Sequence, residues 1–221
     1  MCRKLVVLAL ILGLASVSYG AVIGNWEGTN MDNWQTAWDD APVATPGATL
    51  GITRDQGSLQ VTWAGKYWIM QYNMTGADLA AAVAGQNKFQ FDWTAFGSDF
   101  HGDWFAIGKS ITINSAVGWT QYDAGGGVQQ QYDRNTGAPL GIDDQGGWYT
   151  EMDRTYKADL SAFNWAGAQA GGWAQLFISM QANPDGSGLG TIYMDNAQLT
   201  PEPATMALLG LGAMALIRRK R

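Results

Sequence analysis

The chain almost lacks cysteine and histidine: among its 221 residues Cys2 and His101 are the sole examples of each. A disulfide framework is therefore excluded, as are a zinc set of the usual Cys/His kind and a thiol–imidazole pair for nucleophilic catalysis. A serine triad through His101 has no nucleophile elbow to support it, and His101, inside GSDFHGDW, reads as a satisfied loop histidine. Positive charge is scarce as well. Six of the thirteen basic residues belong to the two ends, leaving Ala21 to Thr200 with seven basic against eighteen acidic residues, a net of −11. Such a body repels nucleic acid and anionic lipid, while neutral sugars, cationic groups and divalent metals remain acceptable partners. No apolar run is long enough to cross a bilayer comfortably. The fourteen residues from Ala204 to Ile217 would rise about 21 Å as a helix, against a hydrocarbon core of about 30 Å.

What is present is organised from the ends inward. Met1 to Gly20 begins with Arg3 and Lys4, continues with an apolar run from Leu5 to Leu14, and places small Ser18 and Gly20 just before Ala21. This is the layout of a secretory signal peptide cut after Gly20. Cys2 precedes the apolar run, where a lipoprotein cysteine would follow it, so lipidation is not expected. At the other end Thr200-Pro201-Glu202-Pro203 predicts an extended linker, because proline fixes φ and disfavours helix in the residue before it. The short apolar segment then ends in Arg218, Arg219, Lys220 and Arg221. Basic residues beside such a segment stay on the cytoplasmic side while the signal peptide sends the body across, which describes a transient transmembrane anchor. Pro201-Glu202-Pro203, an apolar helix and an arginine-rich end together resemble the PEP-CTERM sorting signal of exported bacterial proteins. The resemblance implies recognition by an exosortase, a membrane protease, and association with extracellular polysaccharide at the cell envelope, surface or matrix. The expected organisation is a signal peptide over 1–20, a domain over 21–199 and a sorting signal with a short membrane helix over 200–221.

The body reads as all-β. In KFQFDWTAF, Phe89, Phe91 and Trp93 alternate with Lys88, Gln90 and Asp92, as a half-buried strand requires. SLQVTWA and AQLFISMQA repeat the pattern, and ATLGITRD, KYWIMQYN, DWFAIGKSITINS and GTIYMDNAQL are also strand-like. Trp63 and Trp93 fall on the apolar side of their strands and predict packing. Only GADLAAAVAG, Gly76 to Gly85, reads as a helix. Many short strands joined by glycine-rich turns predict an antiparallel β-sandwich of jelly-roll type, with the C-terminal hydrophobic helix outside it. Ser115 to Gly147, holding Gly125-Gly126-Gly127 and Gln129-Gln130-Gln131, is the least regular stretch and is expected to be partly ordered. Asn73-Met74-Thr75 matches a glycosylation sequon at a strand end.

The body opens with VIGNWEGTNMDNWQTAW and closes with GTIYMDNAQL. This pair, with the helix-to-strand passage DLAAAVAGQNKFQFDW between, resembles jelly-roll carbohydrate-binding modules of the galactose-binding-like type. The resemblance implies that the terminal strands are neighbours and that Glu27 and Asp195 hold a structural calcium, with backbone carbonyls completing a shell of six to eight oxygens. Eleven tryptophans suit sugar binding, because indole faces stack on pyranose C–H faces while amides bond the hydroxyls. Candidates for a ligand platform are Trp34 and Trp38, in a polar stretch, and Trp119, Tyr122 and Trp148, flanking the glycine-rich segment. The paired carboxylates Asp39-Asp40 and Asp143-Asp144 keep a glycoside hydrolase in play. The expectation is nevertheless a noncatalytic surface or matrix protein contacting polysaccharide, with a self-associating structural protein as the alternative.

Overall fold

The computed structural model describes residues 20–37, 43–49, 56–64, 67–96, 102–123, 127–140, 152–184 and 189–201. In chain order the strands are β1 (Ala21–Gly24), β2 (Trp34–Ala37), β3 (Val43–Thr49), β4 (Gln56–Ala64), β5 (Tyr67–Asn73), β6 (Lys88–Ala95) and β7 (Gly102–Ser115). They continue as β8 (Gly118–Asp123), β9 (Gln129–Asp133), β10 (Pro139–Leu140), β11 (Met152–Asp159), β12 (Ala174–Pro184) and β13 (Leu189–Thr200). Helix α1 (Gly76–Val83) follows β5, and α2 (Trp165–Gly171) precedes β12.

Two antiparallel sheets face each other as a jelly-roll sandwich. The first runs β10-β9-β11-β6-β13-β4-β3, and the second β2-β5-β12-β7-β8. One edge of β13 is shared: β4 pairs with Leu189 to Met194, and β1 then pairs with Ala197 to Leu199. The handover coincides with a bulge between Asp195 and Gln198, where Asn196 adopts φ +50°. The first and last strands of the body are thus neighbours.

Alternation decides what goes inside. Phe89, Phe91, Trp93 and Ala95 of β6 point inward with Leu59, Val61, Met70, Ile111, Ile113, Ile178, Ile192 and Met194. Aromatic rings run through the core, Trp26 to Trp34 at 5.8 Å, Trp34 to Tyr72 at 5.2 Å and Phe91 to Tyr156 at 4.9 Å between centroids, and Trp34 to Phe89 at 6.3 Å crosses from one sheet to the other. Without disulfides, this apolar interior supplies the cohesion.

Both helices cap one end of the sandwich, and their starts are specified locally. Thr75 and Asp78 form a capping box at α1. The Tyr72 hydroxyl also donates to Asp78 Oδ2 at 2.7 Å; burial, helped by that carboxylate, pushes the phenol far above its ordinary pKa and keeps it a donor. Asn164 caps α2, and Gly172 ends it in the left-handed region at φ +80°.

The sequence reading missed α2, because NWAGAQAGG reads as a glycine-rich turn. It also treated Ser115–Gly147 as irregular, yet β8, β9 and β10 lie there. The period-two signal of β9 is silent because its inward residues are Gln129 and Gln131 rather than apolar ones. Gln129 is satisfied inside: it accepts from the Tyr156 hydroxyl and its Nε2 donates to the Tyr122 carbonyl at 2.9 Å.

Candidate functional site

The outward side chains of the second sheet form rows set by strand register. One row runs Gln35, Gln71, Phe177, Thr112, Gln121 across β2, β5, β12, β7 and β8. The next runs Asn73, Gln175, Asn114, Trp119, and a third holds Ile69, Ser179, Ser110 and Asp123. The face is sunk in the middle. Gln71, Thr112 and Phe177 are at most 6% exposed, whereas Trp119 at the edge is 49% exposed.

Hydrogen bonds tie the amides into a chain. Gln71 Nε2 and Gln175 Nε2 donate to Asn73 Oδ1 at 2.7 and 3.1 Å, and Asn114 Nδ2 donates to Gln175 Oε1 at 3.1 Å. An amide group offers two donors and two acceptor sites, so this chain fixes the rotamers while leaving the Asn73 amide hydrogens and the Gln71 and Asn114 carbonyl oxygens for a ligand. Ser110 and Ser179 hydroxyls meet at 2.8 Å in the third row. The Trp119 and Phe177 rings pack with centroids 5.4 Å apart and an interplanar angle of 42°. Among the described side chains of this face only Asp123 is ionisable, and its Oδ1 accepts from Gln121 Nε2 at 2.8 Å. The described part of the face is a hydroxyl- and amide-rich trough with an aromatic flank and one carboxylate, Asp123, at its edge.

The first sheet's outer face is different. Arg134 sits between two carboxylates, its Nε 3.4 Å from Asp92 Oδ2 and its Nη1 3.3 Å from Asp153 Oδ1. Thr155 donates to Asp92 at 2.6 Å, Thr94 to Asp153 at 3.3 Å, and Asn196 Nδ2 to Asp92 at 3.1 Å. On this face one guanidinium is shared by two carboxylates that also accept bonds from neighbouring hydroxyl and amide groups.

The sequence candidates separate on these coordinates. Trp119 lies on the amide face. Trp34 does not: it opens β2, is 2% exposed, and donates its indole N–H to the Ile23 carbonyl at 2.8 Å, so it is a core residue rather than a platform. Tyr122 is three residues from Trp119 on β8, faces the opposite side and packs against the core. Trp93 is core as expected, at 1% exposed. Trp38, Trp148, His101, Asp39, Asp40, Asp143, Asp144 and the Trp63 side chain lie outside the described residues.

Glu27 and Asp195 both border the gap where β4 gives way to β1 along β13. Gly57, at φ +85°, exists there because a Cβ would lie 2.5 Å from Glu27 Cα and 3.0 Å from Glu27 Oε2. Asp195 is buried opposite Asp92, with Oδ1 accepting from Asn196 N at 2.7 Å. Ser58, one residue beyond the last β4–β13 pair, is fully buried and its hydroxyl has no hydrogen-bond partner. Among the described residues no three His, Cys, Asp or Glu side chains converge.

Sequence reasoning passed over Gln71, Asn73, Thr112, Asn114, Gln175 and Phe177. A signal existed: in IMQYN, ITINS and AQLFISM the residues between apolar ones are amides and hydroxyls, with no Lys or Glu among them.

β13 ends the described body at Leu199, which is fully buried, and Thr200, whose hydroxyl donates to the Lys88 carbonyl at 3.3 Å; Pro201 follows. Residues 199–221 match the PEP-CTERM protein-sorting motif. The PEP-CTERM match therefore begins inside the last strand of the sandwich. Glu202, Pro203, Arg218, Arg219, Lys220, Arg221 and the apolar segment lie outside the described residues, and among the described ones no helix is long and apolar enough to cross a membrane. No curated protein sequence matches the chain.

Among solved structures, a carbohydrate-binding module shares the fold and others are more distantly similar. A carbohydrate-binding module specific for non-crystalline cellulose, CBM28, superposes with TM-score 0.50 at 10% identity, covering 83% of this chain and 96% of its own. TmCBM27, described for specific mannan recognition, gives TM-score 0.44 at 11% identity over 81% of this chain and 95% of its own. The family 11 carbohydrate-binding module of Clostridium thermocellum Lic26A-Cel5E gives 0.42 at 14% identity, with 83% and 95% covered.

Proposed function

We propose that this chain is an exported, noncatalytic polysaccharide-binding protein, sorted through its C-terminal PEP-CTERM segment by an exosortase-type membrane protease and retained at the cell surface or matrix. The observation that carries the reading is the outer face of the second sheet. Its preset amides answer hydroxyls in both directions, and Trp119 offers an indole face for pyranose C–H groups. The fold shared with carbohydrate-binding modules supports it, as does the sorting-motif match.

The test is affinity electrophoresis of the mature chain through gels loaded with neutral or charged polysaccharides. Retardation on a neutral polysaccharide that W119A weakens about tenfold is expected. Equal mobility in every gel would remove the binding reading, and steady release of reducing sugar would remove the noncatalytic one.

A structural calcium belongs to the same proposal. The buried, partnerless Ser58 hydroxyl and the Gly57 cradle beside Glu27 fit an oxygen-seeking cation, with Glu27 and Asp195 supplying charge and backbone carbonyls the remaining ligands. The ion would fasten the β1–β2 connection to β13. Calorimetric melting with and without chelator decides, since a melting temperature indifferent to chelator excludes the ion.

A further inference from the structure

Five large apolar side chains are exposed among the described residues: Val22, Val83, Val117, Trp119 and Trp173. Register places all five at one end of the sandwich. Val22 lies opposite Gln198, one pair from the end of β1. Val83 closes α1, which caps this end. Val117 sits in the β7–β8 turn against α2, so close that a Cβ on Gly167 would lie 2.5 Å from it. Trp173 joins α2 to β12, and Trp119 follows the β7–β8 turn, opposite Asn114. Thr200, paired with Lys88, leaves the sandwich at the same end.

The length of chain beyond Thr200 says what this end faces. Only Pro201, Glu202 and Pro203 separate it from the apolar run starting at Ala204, and three extended residues reach about 10 Å. The geometry points to this end of the sandwich as a lipid-docking surface: while the precursor is anchored, Val22, Val83, Val117 and Trp173 rest in the headgroup region of the bilayer. Tryptophan favours that interface, with its apolar body and polar N–H. The chemistry agrees, because the described ionisable groups here are few and answered. Lys88 pairs with Asp159, and Asp78 is turned inward to Tyr72 and Thr75. An acidic body contacting lipid with an end whose described side-chain charges are paired calls for a zwitterionic rather than anionic surface. Trp119 borders the end but belongs to the glycan trough, whose sheet would then stand upright on the membrane with the trough facing sideways.

The inference rests on the anchoring reading, and the test separates the two. All eleven tryptophans lie between Trp26 and Trp173, so none is in the apolar segment or the basic tail. The full chain is reconstituted into phosphatidylcholine vesicles carrying brominated acyl chains, which quench tryptophan at short range. Flotation with the vesicles reports anchoring alone. Docking is expected to quench part of the emission, and W173F, at an exposed site, is expected to shrink the quenched part while its melting temperature stays that of the parent. Failure to float overturns the anchoring reading. Flotation without quenching, or a quenched part unchanged in W173F, overturns docking. A dimer in detergent that W173F dissolves would give the surface to a second copy and overturn it as well.

Discussion

The two outer faces of this sandwich are built by the same alternation yet do opposite things with their polar residues. On the first sheet Arg134 bridges Asp92 and Asp153, with Thr94, Thr155 and Asn196 donating further bonds to the two carboxylates. On the second sheet amides bond to amides and keep donors and acceptors unspent. A charged cluster is strongest when closed on itself, whereas an amide has more bonding sites than its neighbours can use. The difference teaches that binding capacity here lies with weakly polar residues, and that the charged face is structural.

The largest expected effect comes from breaking the closed face. Arg134→Ala leaves Asp92 and Asp153 facing each other partly buried, and should cost about 2–3 kcal/mol in urea unfolding without changing polysaccharide retardation. A loss of retardation in a folded R134A chain would end the division of labour between the faces. Trp119→Ala should do the reverse: about tenfold weaker binding, with a smaller stability loss of about 1 kcal/mol from its packing against Phe177. Gln175→Ala sharpens the contrast, since it removes the middle of the amide chain. A stability loss of about 1 kcal/mol by denaturation and a several-fold weaker affinity by calorimetry are expected together.

The smallest effect is a pH dependence belonging to the first sheet. Burial works to raise the Asp159 carboxyl, but the bonds from Lys88 and Ser161 outweigh it and hold the group below the usual carboxylate value. A depressed folded value means stability present above the unfolded pKa, about 3.9, and lost as pH falls through the folded one. Asp159→Asn should therefore melt below the parent at pH 6 and converge with it near pH 2, by less than about 1 kcal/mol because the pair is half exposed. A gap of equal size at both pH values would assign the loss to packing instead of charge.

Much of the fold was legible. The alternation in KFQFDWTA predicts β6 with its inward Phe89, Phe91 and Trp93, and GADLAAAV predicts α1. The site was legible only in part. Trp119 and Tyr122 stand out by their glycine-rich surroundings and Trp34 by its polar stretch, yet Tyr122 and Trp34 turn inward. A tryptophan's chemistry is the same in a core and on a platform, so residue type does not say which way it points. The amides were overlooked for the converse reason: alone, a glutamine between two apolar residues reads only as solvent-facing.

By itself the sequence determined the all-β architecture and the sorting motif that follows it, because apolar period, turn chemistry and charge bias act within a few residues of each other. The tertiary structure alone decided that Gln71, Asn73, Asn114 and Gln175 share one face and that the exposed apolar residues gather where the sorting tail departs. Gln71 and Gln175 are more than a hundred residues apart in the chain, and only register between non-sequential strands brings them together.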